Sequence, residues 1–546
     1  MGTQSRSASP TPSQAALARL PPHLRRFVVA QDYDAYTARD HAVWRHILRR
    51  LVRHLAGRAH PAYLRGLEAT GIGTERIPSL DEMNVKLARL GWSAVCVRGF
   101  IPPAVFTELQ SIRVLAIAAD VRTHEHIEYT PAPDIVHESA GHAPIIAEPE
   151  YAAFLERAGE LGFRAIASRE DEEVFEAIRG LSIVKEDPAA SDAEVAAAEQ
   201  RLADASSARR FTSESTRASR LYWWTAEYGL VGDLDAPKIY GAGLLSSIGE
   251  SVHCLTDAVE KLPLTLACAD REYDITRMQP QLFVARELGE LPGLVDALAA
   301  QLAWKRGGDY GLSRALEART VNHLRFEDGL EVSGVVRGVE RGERPATSSI
   351  ESALAVVGGP SMLSRVGRAL AEPFDLPTVV AFGAPRPFEA GLLELELASG
   401  LVLSGRVRSG VASALCEMTE LRARIGSREL AVPDHALVAV AEGLSSVAGG
   451  AADPGAWDRR FGAQVVESGG EARARAHKAE ALHPALAAMY REVREQRESG
   501  RIDPERLEAI AAQARGFVDD WLLRTEVAEL LTGESGFAEA PVAATY

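Results

Sequence analysis

Two histidines, His137 and His142, stand five residues apart in the stretch YTPAPDIVHESAGHAP at residues 129–144. Imidazole is the commonest protein ligand for transition metals, so a close pair is half of a candidate metal site. Zinc peptidases use H-E-x-x-H, where positions i and i+4 share one helix face. An offset of five turns the second side chain by roughly 140° around a regular helix, which disfavours that geometry. Both rings reach one ion only if the helix ends or distorts between them, and Gly141 and Pro144 are the residues that permit it. Two ordinary turn histidines are the plain alternative. The acid at Glu138, the glycine, and Pro131 and Pro133 stiffening the approach weigh against it.

A second stretch, LYWWTAEYG at 221–229, reads as an aromatic, amphipathic helix with one acid, Glu227. A carboxylate among residues that normally bury is costly unless it is paired or bound to a metal. A helix acid facing solvent or an arginine is the other reading. With the two histidines, Glu227 completes a two-His-one-carboxylate facial triad, which leaves positions open on non-haem iron(II). Glu138 competes as third ligand, but beside His137 on the chain it points away from an ion that His137 binds.

Such residues need elements to hold them. Residues 33–57 carry apolar residues at helical spacing, with Gly57 as a stop. Pro78 to Glu82 reads as a capped start to the helix containing MNVKLARLG, and WSAVCVRGF as a short strand leading to a turn at Pro102-Pro103. Helical patterns such as EYAAFLERAGELGFRAI and EVAAAEQRLADAS dominate from about residue 140 to 270. Past residue 320, GLEVSGVVRGV, LLELELASGLVLSGRVRSG and TELRARIGSRELAV alternate apolar and polar residues around glycine turns, as hairpins do. GGAADPG near Gly449 reads as a linker, and LHPALAAMYREVREQRES and PERLEAIAAQARGFVDDWLLRTEVAELL as two amphipathic helices. The expected layout is α+β and multidomain. A polar tail over 1–30, disordered to about residue 20, precedes a mainly α catalytic domain over 31–320. A β-rich accessory domain over 321–450 and a small helical C-terminal region over 451–546 follow.

Composition narrows the classes of function. The formal charge of -16 over 546 residues disfavours binding to a phosphate backbone, which relies on clustered Lys and Arg. Four scattered cysteines, Cys96, Cys254, Cys268 and Cys416, form no C-x-x-C pair; this excludes a cysteine-built zinc site and fits a reducing compartment. No apolar run is long enough to cross a bilayer, and the polar N-terminus lacks a signal core. The expectation is a cytoplasmic protein that acts on small molecules, without nucleic-acid or membrane partners.

At these residues the sequence resembles the pterin-dependent aromatic amino acid hydroxylases. YTPAPDIVHESAGHAP is similar to that family's iron-binding segment, and LYWWTAEYGL followed by KIYGAGLLSSIGE to its second signature; VRGFIPPAVFTELQSIRVL and DITRMQPQLFVA match in order. The similarity covers about residues 31 to 300 and is greatest to the long bacterial phenylalanine hydroxylases. It implies iron(II) held by His137, His142 and Glu227, and a tetrahydropterin cofactor. It also implies that Arg122 clamps the substrate carboxylate, with Thr130, Pro133, Trp223, Gly243 and Ser246 around substrate and ligands. Gly99, Ile101 and Phe106 then meet the pterin, with Glu138 holding a water near it in a catalytic role. Ala116 departs from the family, standing where animal enzymes carry a pterin-contacting histidine. An Ala-rich insert around Ser191 to Ser206 lengthens the chain between the second histidine and the acid.

The implied chemistry is ring hydroxylation by dioxygen. Ground-state oxygen is a triplet and does not attack a benzene ring unaided, so electrons must reach it through a metal and a reductant. Phenylalanine to tyrosine is the expected reaction, and tryptophan or tyrosine hydroxylation the alternative, because pocket shape discriminates weakly among aromatics. A zinc hydrolase, needing neither oxygen nor reductant, and a non-catalytic amino-acid sensor are the competitors from other classes.

Overall fold

The computed structural model describes residues 10–124, 127, 134–186, 190–275, 277–385, 387–412, 415–462 and 482–533. Helix α1 (Ala38–Leu55) is the wall on which the first half is built. Thr37 and Asp40 close a capping box at its start, and Trp44, Ile47, Leu48, Leu51 and Leu55 bury one stripe. Gly57, at φ 73°, takes the left-handed turn that leads the chain away. The expected helix over 33–57 is therefore shorter, and Tyr33–Ala35 forms a separate 3-10 turn. Helix Leu80–Leu87 follows Ser79, whose side chain makes no capping bond.

Strand β1 (Ser93–Val97), helix α2 (Pro103–Ser111) and strand β2 (Val114–Ala118) make a parallel β–α–β unit. Both strands are buried along their whole length, which is why SAVCV and VLAIA are unbroken apolar runs. Pro102-Pro103, expected as a turn, starts α2 instead. A proline at the first helical position gives up no hydrogen bond, since that N–H has no partner in a helix. The tail also departs from the expected disorder. Pro12–Arg19 is helical with a capping box of Thr11 and Gln14, and Ala16, Leu20, Leu24 and Phe27 pack onto β1, α2 and β2. Those four apolar residues decide the outcome over a polar composition; residues 1–9 lie outside the described chain.

Helices α3 (Pro149–Arg164), α4 (Arg169–Glu186), α5 (Asp192–Ser207) and α6 (Glu214–Tyr222) follow, then the short α7 (Ala242–Ser246). The Ala-rich insert is α5, capped by Ser191 and Glu194 and packed on α4. No helix among the described residues is long and apolar enough to cross a membrane.

Past residue 320 the chain turns to strands: β3 (Val321–Phe326), β4 (Leu330–Arg341), β5 (Ser352–Arg365), β6 (Thr378–Phe382), β7 (Gly391–Glu396), β8 (Leu401–Ala412), β9 (Leu415–Ile425), β10 (His435–Ala441) and β11 (Leu444–Gly449). They pair in the order β7-β8-β9-β10-β6-β5-β4-β3-β11, antiparallel except for β6 with β10. The middle of this sheet is buried on both faces: Leu437 and Ala439 enter one core, Val438 and Val440 the other. The GGAADPG segment is only in part a linker, because Asp453 caps a helix from Pro454 to Phe461 that buries Trp457.

Three helices, not two, complete the described chain: α8 (Pro484–Ser499), α9 (Pro504–Ala514) and α10 (Trp521–Thr532). The last stretch breaks where Asp520 accepts from Leu523 N and caps a new helix. These helices also do not form a core of their own. Leu486, Tyr490, Ile510, Leu523 and Val527 join the core that α1 shares with the first half. Arg45 on α1 binds Glu526 through both oxygens, with Nε 3.0 Å from Oε1; Arg49 reaches Glu529 at 2.9 Å, and Arg497 reaches both acids at 3.2 Å. Arg45 and Glu526 are each only 3% exposed.

Removing Arg45 leaves the buried Glu526 with Arg497 as its remaining cation among the described residues. Arg45→Met is expected to lower unfolding free energy by about 3 kcal/mol, and Arg45→Met with Glu526→Leu to recover most of it. Urea denaturation of the single and double variants checks this.

Candidate metal centre

The segment from His137 to His142 is a π-helical turn, preceded by Ile135 and Val136 in helical conformation and followed by Ala143–Ile145. Hydrogen bonding from i to i+5 widens the turn until residues five apart return to nearly the same side. This distortion brings the two imidazoles together. Pro144 has no N–H to offer the preceding turn, which favours the widening. Gly141 serves a different need from the expected flexibility: a Cβ there would stand 2.6 Å from the carbonyl oxygen of Ala242, so glycine lets α7 close on the turn. The aromatic helix expected over 221–229 is regular only to Tyr222, and Trp223–Glu227 is a second π-helical turn.

Across these two turns His137 Nε2 lies 3.4 Å from Glu227 Oε2, and His142 Nε2 lies 3.1 Å from Glu227 Oε1. One ligand atom from each of the three residues falls within 4.8 Å of the others. His142 is 1% exposed, and neither of its nitrogens has a hydrogen-bond partner among the described residues; the 3.1 Å approach of Glu227 is a contact without hydrogen-bond direction. A buried polar atom left so costs about 1–3 kcal/mol, and a metal ion is the partner that suits it. Two imidazoles and a carboxylate with no thiolate fit iron(II) in a three-ligand site. Glu138 is buried outside the trio, and its burial raises its carboxyl.

The tautomer of His137 is fixed from behind. Ser246 donates its hydroxyl proton to Ala242 O at 2.7 Å, so its oxygen accepts from His137 Nδ1–H at 3.0 Å and leaves Nε2 as the ring atom that faces Glu227. Burial by itself would raise the Glu227 carboxyl, yet the two imidazoles it faces hold it well below the usual carboxylate range. Burial would likewise lower His137, and Glu227 outweighs it, holding that imidazole up at about 9.

Arg122 follows β2 and is buried, 6% exposed. Its Nε and Nη2 donate to Asp134 at 2.8 and 2.9 Å, and its backbone N–H to the same carboxylate at 3.0 Å. Asp134 also accepts from His137 N at 3.1 Å, capping the ligand helix. Burial would raise the Asp134 carboxyl, but Arg122 holds it low. Sequence reasoning passed over Asp134; its place three residues before His137, the N-cap spacing, was the available signal. One edge of the guanidinium fork is thus spent on Asp134, and among the described residues Nη1 makes a 3.5 Å bond to Ile127 O.

Trp223 has both faces covered, by Tyr228 at 4.6 Å and Tyr273 at 4.3 Å, so it can reach a substrate only by its edge. Neither tyrosine was singled out from the sequence. A Cβ on Gly243 would meet Glu227 O and the Tyr228 ring at 3.1 Å. Phe106 lies 6.5 Å from the His142 ring, with Gly99 in a left-handed turn at φ 66° and Ile101 half-buried at the start of the same connection. Ala116 sits in the middle of buried β2. Thr130, Pro133 and His126 lie outside the described residues. His124 is buried and His253 half-buried, both away from the trio.

The family model described as biopterin-dependent aromatic amino acid hydroxylase matches residues 31–177 and 185–306. The phenylalanine-4-hydroxylase of Pseudomonas aeruginosa is 33% identical over 258 residues, 47% of this chain and 81% of that one. The Mesorhizobium japonicum protein of the same name is 32% identical over 266 residues, covering 47% and 78%. The solved Chromobacterium violaceum phenylalanine hydroxylase with bound iron(III) and oxidized 7,8-dihydrobiopterin aligns at TM-score 0.41 and 27% identity, over 54% of this chain and 93% of that one.

Glu227→Ala and His142→Ala are each expected to abolish stoichiometric binding of iron(II). Ser246→Ala is expected to keep the site but weaken it roughly 10- to 100-fold by freeing the His137 ring. Equilibrium metal titration with elemental analysis of each variant measures both effects.

Proposed function

The chain belongs to the biopterin-dependent aromatic amino acid hydroxylases, and on that premise we propose that it hydroxylates L-phenylalanine to L-tyrosine with dioxygen. The convergence of His137, His142 and Glu227 on two π-helical turns, inside the segment matched by the family, carries this reading. Ferrous iron and a tetrahydropterin, when bound, supply the electrons with which dioxygen is divided, one atom going to the phenyl ring and the other to the pterin.

The protein's part is to bind, orient and keep water out. His137, His142 and Glu227 hold the metal from one side, and Ser246 keeps the His137 lone pair directed at it. Arg122 takes the amino-acid carboxylate with the edge of its fork that Asp134 does not use, a planar match that a lysine lacks. Trp223 and Gly243 border the aromatic ring, and Thr130 and Pro133 contribute to substrate binding. Phe106 stacks on the pterin while Gly99 and Ile101 give backbone and apolar contact. Glu138, whose carboxyl burial raises, holds a water beside the pterin. We take residues 31–320 as the catalytic unit, acting in the cytoplasm, with 321–450 an accessory sheet and the C-terminal helices a buttress to α1.

Iron-loaded protein given phenylalanine, a tetrahydropterin and ¹⁸O₂ is expected to form tyrosine carrying one labelled atom, and none when the pterin is omitted. Labelled product from tryptophan alone would move the substrate and keep the chemistry; hydrolysis without oxygen would end the reading. Arg122→Lys is expected to keep its iron and lose roughly 10- to 100-fold in kcat/KM for phenylalanine, mostly through KM, as steady-state kinetics would show.

A further inference from the structure

The ring of Tyr222 stands between two groups that have different tasks. Its centroid lies 6.0 Å from Phe106 and 6.4 Å from His142, and those two rings are 6.5 Å apart, so the three form a near-regular triangle. The Tyr222 hydroxyl accepts a 2.6 Å hydrogen bond from Gln110 Nε2. Gln110 lies one turn beyond Phe106 on α2, on the same helix face, and is 1% exposed. Its Oε1 is buried with no hydrogen-bond partner among the described residues. A methionine would fill that space without leaving a polar atom unmatched, so the amide's distinctive contribution is its bond to Tyr222.

Tyr222 is the last residue of α6 and directly precedes the turn that ends in Glu227. The bond therefore ties the helix that carries Phe106 to the element that carries the carboxylate ligand. Phenylalanine at 222 would pack against the same two rings but could not be held by the amide.

We propose that Gln110 is a positioning residue for the pterin: by holding Tyr222 it fixes how far the face of Phe106 stands from the metal ligands. The inference rests on the reading of Phe106 as the pterin's stacking partner. Gln110 is not one of the residues assigned above to pterin or substrate, and its polar contact is with Tyr222, through which its influence passes.

Calorimetric titration of the iron-loaded full-length protein with 7,8-dihydrobiopterin, which lacks the electrons to start turnover, tests this. Gln110→Met is expected to weaken binding 5- to 20-fold, and Tyr222→Phe by a similar factor. The double variant is expected to bind no more weakly than either single one, because the pair acts as a unit. With both polar partners gone, the double variant also keeps wild-type iron content and melting temperature, which excludes misfolding as the cause. Wild-type affinity in Gln110→Met, or losses that multiply in the double variant, would overturn the proposal. Phe106→Ala separates the two levels. If it weakens dihydrobiopterin binding while Gln110→Met does not, only the role of Gln110 fails; if it leaves binding unchanged, the reading of Phe106 fails and this inference with it.

Discussion

One buried carboxylate holds the functional half of this protein together. Asp134 accepts from the guanidinium and backbone of Arg122 and from the backbone of His137. Charge-assisted bonds of this kind are roughly twice as strong as neutral ones, and burial removes the water that would otherwise compete for them. The consequence is geometric. The candidate clamp for the substrate carboxylate and the first candidate metal ligand sit on two ends of one rigid fixture. An amino acid held at Arg122, as proposed, would therefore have its ring presented toward the metal ligands before any contact with the ring itself. A site that relied on a loop for that spacing would lose the advantage of pre-positioning.

The second constraint is the paired π-helical turns. A regular helix through His137 to His142 would splay the imidazoles, and one through Trp223 to Glu227 would rotate the carboxylate away. The wider turns cost hydrogen-bond quality, and the surrounding contacts make up for it: α7 closes over Gly141, Ser246 grips His137 from behind, and Tyr228 and Tyr273 clamp Trp223. Backbone irregularity that persists at such a place is held by its neighbours.

What was legible in the sequence follows from how local each feature is. The triad residues showed because their types are rare together and the two stretches are dense in them. The hairpins past residue 320 showed because alternation is written within a few residues. Gln110 did not, since a single amide carries no signal until a partner 112 residues away is known to meet it; Asp134 offered only its N-cap spacing to His137, and its pairing with Arg122, 12 residues away, is not written locally. Helix propensity misled in the other direction. The segment 504–532 reads as one helix, but it ends at Ala514, turns at Gly516 and Phe517, and restarts where Asp520 caps a new helix. Composition alone reads the start of the tail as disordered, although Leu20, Leu24 and Phe27 have a waiting surface on β1 and β2.

The C-terminal helices show the same logic at larger scale. Their apolar face alone could dock on α1 in several registers, since leucines and alanines slide past one another at little cost. The cluster of Arg45, Arg49 and Arg497 with Glu526 and Glu529 admits far fewer, because any displaced charge is left buried and unmatched. A buried ionic cluster contributes little net stability over an apolar one of the same shape, so its value here is specificity of docking. Helix α1 also packs against α7, the helix that presents Ser246 to His137. Fixing α1 from its outer side thus limits how far α7 can shift, and with it the direction of the imidazole lone pair. The last described helices and the candidate metal site are joined through a single shared wall.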